Sequence, residues 1–164
     1  MMAAINSDPK VMECFPAPMT RDQSETMMDR IAEHWQTNGF GLFALEIRDT
    51  GQLIGFTGLS RPPYETPANP CVEVGWRLTP KVWGKGYATE AATACLHWGF
   101  GELNLDEIVS FTFAGNIRSR HVMERLRMRH HETDDFDHPR LPADSTLLRH
   151  VLYRLPRERW KTNS

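Results

Sequence analysis

A glycine-containing turn holds the residues best suited to bind an anion. It spans residues 81–90, with the sequence KVWGKGYATE, and follows an apolar run that ends at Leu78. Gly84 and Gly86 allow tight backbone turns, and free N–H groups at the start of the alanine-rich segment that follows would face a phosphate or pyrophosphate. Two lysines in the turn add positive charge. The alternative is a turn that only packs a helix on a sheet, since an isolated GxG is weak evidence for a phosphate site.

Asn116 and Ser119 form a second polar pair. They are three residues apart, so both side chains would lie at the same helix entrance, with Asn116 as the N-cap. The strand before Asn116 would lie beside the strand before the glycine turn. Two helix N-termini at the carboxyl ends of adjacent parallel strands form a common crevice for anionic ligands. The alternative is a simple cap with a neighbouring hydroxyl.

Strand and helix signals alternate along the chain and predict an α/β fold with a mixed sheet. A strand, a small-residue helix and a strand follow one another, which indicates a right-handed parallel βαβ unit. The predicted strands are 42–47, 53–56, 71–78, 108–113 and 150–155; the predicted helices are 21–37, a segment through 88–99, and 117–126; the predicted loops are 61–70 and 129–146.

Local signals mark the first helix and the hairpin after it. Thr20 and Gln23 have capping-box spacing, and Gly39 provides a left-handed stop. Apolar residues then change from helical spacing to alternation, which indicates a strand. The residues predicted to face the core are Met28, Ile31 and Trp35 on the helix, Phe43, Leu45 and Ile47 on the strand, and Val122, Met123 and Leu126 on the last helix.

The two motifs together resemble the acyl-CoA motif of GNAT acetyltransferases. The similar residues are Gly84-x-Gly86-Tyr87-Ala88-Thr89-Glu90-Ala91 and Asn116-x-x-Ser119-x-x-Val122-Met123-Glu124-x-Leu126. The resemblance extends over about residues 5–155 and is to the RimJ/RimL-type branch, which acetylates N-terminal α-amines of ribosomal proteins and many other amines. It implies one domain, residues 1–164, with a mixed, mostly antiparallel sheet, a central parallel βαβ acyl-CoA unit and helices on both faces.

The resemblance also implies where acetyl-CoA, the cosubstrate, would bind. The backbone at Leu78 would contact the pantetheine arm, and Asn116 with Ser119 would face the thioester end. The basic run to which Arg118 and Arg120 belong would mostly form an exposed helix face, with contact of either residue to the CoA 3′-phosphate as the alternative. The residues implied for the pyrophosphate are Trp83, Gly84, Lys85, Gly86, Tyr87 and Ala88.

Three features depart from the family pattern. The chain begins after the position of an expected first strand, which predicts an open edge at 42–47. We therefore expect either that the native protein starts upstream of Met1 or that this edge pairs with another chain, as in a homodimer. Arg127 occupies the position of a helix-ending glycine, at some strain cost. Met123 occupies the position of a tyrosine acid, which makes Ser119 the candidate proton donor.

Glu73 is the candidate general base. Its side chain interrupts an apolar strand, and burial would raise its pKa toward the range of a base. A protonated amine cannot attack a thioester, so removal of its proton, directly or through water, is required. Backbone N–H groups near Leu78 would stabilise the oxyanion. The alternative for Glu73 is a salt bridge to a neighbour such as Arg77.

Composition excludes several other classes of protein. The 164 residues carry 19 Lys+Arg and 21 Asp+Glu, a net charge of −2, which argues against a globally basic nucleic-acid or membrane-surface binder but not against a local basic patch. No apolar run is long enough for a membrane span, and we expect no signal peptide, because no charged region followed by an apolar stretch opens the sequence. Three separated cysteines indicate thiols of a reducing compartment, and we predict a cytoplasmic protein.

Further interpretations compete with this prediction. Histidine and aspartate residues, which can bind metals, cluster at 130–138, but their spacing matches no zinc or calcium loop. We therefore predict a solvated loop with no metal, and the alternative is a loop that recognises the acceptor. The chain could be a non-catalytic acyl-CoA-binding or regulatory module, which thiol release over an amine panel would exclude. An RNA or ribosome binder would require salt-dependent binding.

Overall fold

A seven-stranded mixed sheet organises the part of the chain that the structure covers. The computed structural model describes residues 2–161, and the strand order is β1-β2-β3-β4-β7-β5, with β6 also paired to β7. Only β3 and β4 run parallel among these pairs. The predicted α/β fold with a central parallel βαβ unit is confirmed. The strands are β1 Leu42–Ile47, β2 Gln52–Ser60, β3 Glu73–Leu78, β4 Glu107–Phe113, β5 Arg129–His130, β6 Phe136–Asp137 and β7 Arg149–Pro156.

Helices cover both faces of this sheet. They are α1 Met2–Asn6, α2 Arg21–Asn38, α3 Tyr87–Gly101, α4 Ile117–Arg125 and α5 Arg157–Lys161. The capping box at the start of α2 is present, because Thr20 and Gln23 bond each other's backbone reciprocally, and Gly39 ends the helix in the left-handed region. The helix prediction is therefore correct to within one residue. Among residues 2–161, no helix is both long and apolar enough to cross a bilayer.

The small-residue stripe brings α3 close to the sheet, as predicted. Ala92 and Cys95 are buried, and a Cβ added at Gly99 would lie 2.7 Å from Ile108 Cδ1 and 2.9 Å from Leu59 Cδ1. A larger residue at position 99 would push the helix away from β2 and β4. The close approach fixes the N-terminus of α3 relative to the ends of the strands.

Strands β3 and β4 separate soon after they meet. Their register pairs Glu73 with Val109, and the Val109 N–H donates to the Val72 carbonyl at 2.9 Å. Beyond this point the structure gives the two strands no further paired residues. The predicted burial of strand 108–113 on both faces is therefore wrong for its second half: Ile108–Ser110 is buried, whereas Phe111–Phe113 is partly exposed because it borders the opening.

Two apolar residues predicted for the core lie at the surface. Met28 is 41% exposed and Phe43 is 43% exposed. Phe43 instead packs edge-on against the Trp35 and Trp98 rings, with centroids 4.9 and 5.5 Å away. Within the described chain β1 pairs with β2 alone, so it is the edge strand that the sequence predicted. The predicted loop 129–146 also contains β5 and β6, which are too short to leave a periodic signal.

Arg127 takes the left-handed backbone conformation that the family pattern reserves for glycine. Its φ is +62°, and the turn is closed by the Met128 N–H, which donates to the Met123 carbonyl at 3.1 Å. We expect Arg127→Gly to stabilise the fold by about 1 kcal/mol, since a Cβ in this region costs roughly that much. The melting temperature should rise by about 2–4 °C in calorimetry. Arg127→Ala retains the Cβ and should show no gain; equal stability of the two variants would contradict the strain.

Candidate functional site

A cleft of about 750 Å³ opens where β3 and β4 separate. The N-termini of α3 and α4 border it together with the segment 10–16, and Tyr64 and His138 also line it. Of the residues predicted for catalysis and for the pantetheine, thioester and pyrophosphate contacts, all but Lys85 line this cleft; Lys85 is exposed beside it. The predicted residues that line it are Glu73, Leu78, Trp83, Gly84, Gly86, Tyr87, Ala88, Asn116 and Ser119.

The N-terminus of α3 presents unused backbone donors to the cleft. Gly84 and Gly86 have φ values of +75° and +86°, and Gly86 is an N-cap with no side-chain hydrogen bond. Both α2 and α4, in contrast, have a side chain that caps their first turn. A Cβ at either glycine would meet no atom within 4 Å, so the space above this backbone is open. The geometry fits a phosphate group at the helix N-terminus.

The N-terminus of α4 holds Ser119 in a defined orientation. Asn116 Oδ1 accepts from the Ser119 N–H at 3.2 Å, which is the predicted N-cap. Asn116 Nδ2 donates to Ser119 Oγ at 3.1 Å and to Thr112 Oγ1 at 2.9 Å. Because Ser119 Oγ accepts from Asn116, its own hydroxyl proton is available to another acceptor. Met123 is buried and its thioether has no proton to give.

The backbone of β3 directs donors into the gap between the strands. The Thr79 N–H donates to the Ile54 carbonyl of β2 at 2.8 Å. Antiparallel ladders alternate their hydrogen bonds, so the N–H groups of Leu78 and Trp76 point away from β2, toward the gap. Trp83 Nε1 donates to the Leu78 carbonyl at 2.9 Å, which places the indole at the edge of the same gap.

Arg118 and Arg120 have different surroundings. The Arg118 guanidinium lies 4.4 Å from the Trp83 ring centroid and forms an ion pair with Glu13. It is exposed at the edge of the cleft, where it could still reach a phosphate. Arg120 donates to Tyr153 Oη at 3.3 Å and to the Ala114 carbonyl at 3.1 Å, so protein groups use its donors.

Glu73 lies at the point where the two strands part. Burial by the surrounding strands and loops raises the pKa of Glu73 to about 8, although the side chain keeps contact with the cleft. Within the described chain no hydrogen bond or ion pair holds this carboxyl, and Arg77 bonds to Asn6 instead. The alternative of a Glu73–Arg77 salt bridge is therefore wrong. Burial, and secondarily Glu73, raise the pKa of the neighbouring Tyr64 far above its usual range.

An aromatic wall beside Glu73 was not predicted as part of the site. The Tyr64 ring lies 4.6 Å from the His138 ring, which in turn lies 4.8 Å from the His150 ring. Burial lowers the pKa of both histidines, which favours their neutral form. Arg140 joins the loops 61–70 and 129–146, because its Nη2 donates to the Pro63 carbonyl at 2.6 Å. In the sequence, only the composition of loop 129–146 indicated a part in acceptor recognition, as the alternative to a solvated loop.

Several histidine and carboxylate side chains of loop 129–146 have partners within the protein. His130 Nε2 lies 2.7 Å from Asp135 Oδ1, and Arg154 Nε donates to Asp134 Oδ2 at 2.7 Å. Among the described residues, no three His, Cys, Asp or Glu side chains are grouped so as to hold a metal ion.

Comparisons with known proteins agree with this geometry. Residues 1–129 match the family described as the acetyltransferase (GNAT) domain. The chain is 32% identical to the FsC-acetyl coenzyme A-N(2)-transacetylase of Aspergillus fumigatus, over 95% of this chain and 68% of that protein. A solved GNAT-family acetyltransferase from Bacillus anthracis is similar with a TM-score of 0.76 and 25% identity, over 96% of this chain and 87% of that one.

A further solved structure shows the same fold. It is the spermidine N-acetyltransferase of Vibrio cholerae in complex with CoA and spermine, with a TM-score of 0.74 and 17% identity. The similarity covers 97% of this chain and 89% of that one. At this identity the likeness concerns the fold alone.

Proposed function

This chain belongs to the GNAT acetyltransferase family and is an acetyl-CoA-dependent acyltransferase, and we propose that it acetylates a primary amine by direct attack in a ternary complex. One observation carries the proposal: a single cleft joins the open N-terminus of α3 to the Glu73 carboxyl. The N-terminus of α3 fits a CoA diphosphate, and the Glu73 carboxyl fits an amine that must lose a proton. The relative from Aspergillus fumigatus, named as an N(2)-transacetylase, supports transfer to nitrogen.

The residues on the α3 side of the cleft would hold acetyl-CoA. Backbone N–H groups from Gly84 to Ala88 would bind the diphosphate, with Lys85 and Arg118 near enough to add charge. The N–H groups of Trp76 and Leu78 point into the gap between β3 and β4. There they would bond the pantetheine arm and the thioester oxygen, whose negative charge grows as the amine attacks.

Glu73 would accept the proton of the attacking amine. A carboxyl whose pKa is about 8 is a stronger base, once ionised, than an ordinary glutamate, and it is close in pKa to an α-amine. The amine enters from the face of β3 that bears Glu73, and a water molecule can relay the proton if the two groups are not in contact.

Ser119 would donate a proton to the departing thiolate. Its hydroxyl proton is directed away from Asn116, since Asn116 Nδ2 already donates to Ser119 Oγ. The helix N-terminus at which Ser119 lies also favours a negative charge on the sulfur. Met123 cannot take this role, which leaves Ser119 as the candidate acid.

We also infer the finer features that the motifs suggested. The chain would be of the RimJ/RimL type, with an N-terminal α-amine or a small-molecule amine as the acceptor. Residues 1–164 would form one domain, which the continuous core between α3, α4 and the sheet supports. The three free thiols support a cytoplasmic location, and the exposed β1 edge supports a homodimer.

Thiol release from acetyl-CoA over a panel of amines tests the proposed function. The panel contains amines, amino acids, short peptides and polyamines, and calorimetry measures acetyl-CoA affinity in parallel. Release that depends on an amine would support the proposal. Tight acetyl-CoA binding with no release across the panel would contradict it and indicate an acyl-CoA-binding module.

The position of Gly75 provides a test of the acceptor side. A Cβ at Gly75 would meet no atom within 4 Å, and its backbone is not left-handed, so Gly75→Val should fold normally. The valine would occupy the acceptor space between Glu73 and Arg77. We expect kcat/KM for the amine to fall by about 100-fold, as misplacement by about 1 Å can cost that much, with unchanged acetyl-CoA affinity. Gly75→Ala should give a smaller loss; no loss in either variant would place the amine elsewhere.

A further inference from the structure

Arg77 is a partly buried cation that the described chain leaves without a counter-ion. Nη1 donates to Asn6 Oδ1 at 2.8 Å and contacts Met27 Sδ at 3.9 Å, while Nε is buried with no hydrogen-bond partner. Among residues 2–161, no carboxylate forms an ion pair with this guanidinium. Burial lowers the pKa of Arg77 to about 10, which still leaves it positively charged at neutral pH. A buried charge of this kind is costly unless a partner compensates it.

The guanidinium is held in a fixed orientation. It lies 4.3 Å from the centroid of the Phe15 ring and 5.3 Å from that of the Phe56 ring. The Asn6 amide that bonds Nη1 is itself fixed, because Asn6 Nδ2 donates to the buried Ser24 Oγ at 2.8 Å. Burial closes off Nε, so Nη2, for which the described chain shows no acceptor, is the donor left to a ligand, and a charged N–H···O⁻ bond from a guanidinium suits a carboxylate.

Arg77 shares the acceptor face of β3 with the candidate base. Side chains alternate along a strand, so Glu73, Gly75 and Arg77 point to one face, and Val74 points to the other, where it packs in the same cluster as Ala92 of α3. Glu73 and Arg77 both line the cleft, with their Cα atoms about 13 Å apart along the strand. The open space at Gly75 lies between them.

We propose that Arg77 binds a carboxylate of the acceptor, so that the acceptor is an amine whose molecule also carries a carboxyl group several bonds from the nitrogen. The inference rests on the proposed function, because it assumes that the amine is delivered to Glu73. An anionic group in the acceptor would supply the counter-charge that the chain itself does not. A polyamine would instead bring a second ammonium group toward a guanidinium, which costs electrostatic energy.

The charges elsewhere in the cleft agree with an anionic acceptor. Among the described residues that line it, the two carboxyl groups belong to Glu13 and Glu73; Glu13 pairs with Arg118, and Glu73 with a pKa of about 8 is mostly neutral at pH 7. The lysine and arginines that line it are Lys10, Arg77, Arg118, Arg125 and Arg140. Arg118 and Arg125 both lie on α4, on the side of the cleft proposed for the diphosphate, whereas Arg77 points to the face of β3 opposite α3.

Matched pairs of acceptors test the proposal. The probes are ω-amino acids of four to eight carbons and short peptides, each compared with the amide of the same chain, and spermidine. In the wild type we expect kcat/KM for the best acid to exceed that for its amide by about 10–100-fold, as charged hydrogen bonds of this kind provide. Spermidine should be a poorer acceptor than the best acid. Equal values for every acid and its amide would overturn the proposal.

Variants separate recognition from a structural role. Arg77→Gln should remove the preference for acid over amide while the amide keeps its kcat/KM within a few-fold, and Arg77→Lys should restore part of the preference. If Arg77 only holds the N-terminal segment, Arg77→Gln lowers both acceptors equally and the proposal fails. Asn6→Asp tests recognition of the carboxylate with Arg77 in place, because the new carboxylate beside Nη1 would offset the charge of the guanidinium. It should reduce the preference for the acid and leave the amide unaffected; an undiminished preference would contradict the proposal.

The two proposals fail in different ways. If the proposed function is wrong, no acceptor releases thiol from acetyl-CoA, with or without a carboxylate. If only the role of Arg77 is wrong, neutral amines are acetylated as well as acids are, and the variants change both alike.

Discussion

Glu73→Gln is expected to lower kcat by about 10²–10⁴-fold while the affinity for acetyl-CoA stays unchanged. Glutamine has nearly the same shape as glutamate but cannot accept the proton of the amine. The carboxyl lies on the acceptor face of β3, away from the glycine turn, so the acetyl-CoA side should not respond. Steady-state kinetics and calorimetry measure the two quantities. The exposed strand residue Glu46 provides the control, since Glu46→Gln should change neither.

The pH dependence of the reaction gives the same test a second measurement. Because burial raises the pKa of Glu73 to about 8, the base is protonated at pH 7 and becomes ionised above pH 8. We expect kcat/KM to rise with pH and to level off above about 8, and this acidic limb should be lost in Glu73→Gln. A loss of tenfold or less with the limb intact would show that Glu73 does not act as the base.

The raised pKa also predicts how stability depends on pH. An unfolded glutamate ionises near pH 4.3, whereas the folded one keeps its proton to about pH 8, so the native state binds more protons between these values. The contribution of Glu73 to stability therefore falls as the pH rises from about 4.3 to 8, and is constant beyond. Glutamine does not titrate. As the pH rises through this range, thermal unfolding should show Glu73→Gln becoming more stable relative to the wild type. A stability difference between the two proteins that does not change with pH would contradict the raised pKa of Glu73.

Local signals in the sequence predicted the elements of the site, because their mechanisms act over a few residues. The capping box of Thr20 and Gln23, the N-cap of Asn116 and the turn at Gly84 and Gly86 each depend on contacts within one helical turn. The position of Glu73 followed from strand alternation in the same way. These features are readable without knowledge of the fold.

The parts of the site that the sequence did not predict depend on distant contacts. Arg77 and Asn6 are 71 residues apart, and no local pattern connects them. The sequence offered a salt bridge between Glu73 and Arg77 only as the alternative to a base, and a strand places residues four apart about 13 Å from each other. Phe43 was assigned to the core from alternation alone, which shows which residues share a face but not how completely distant residues such as Trp35 and Trp98 cover that face.

Gly86→Val is expected to weaken acetyl-CoA binding by about 100-fold or more. Gly86 has a φ of +86°, which a β-branched residue avoids, so the turn would change shape and its N–H groups would no longer converge on a phosphate. Each hydrogen bond to a charged group is worth about 1.5–3 kcal/mol, and the loss of two is enough for this effect. Gly84→Val, with a φ of +75°, should act in the same way.

A matched glycine separates loss of the phosphate site from a general effect of backbone strain. Gly51 lies in the β1–β2 turn with a φ of +65°, and a Cβ there would also meet no atom within 4 Å. Gly51→Val therefore imposes similar strain outside the cleft, and should lower the melting temperature without changing the affinity for acetyl-CoA. Calorimetric titration at a temperature at which all variants are folded gives the comparison. Unchanged affinity in both Gly84→Val and Gly86→Val would move the diphosphate away from α3, because a site built from these backbone donors cannot survive the loss of their geometry.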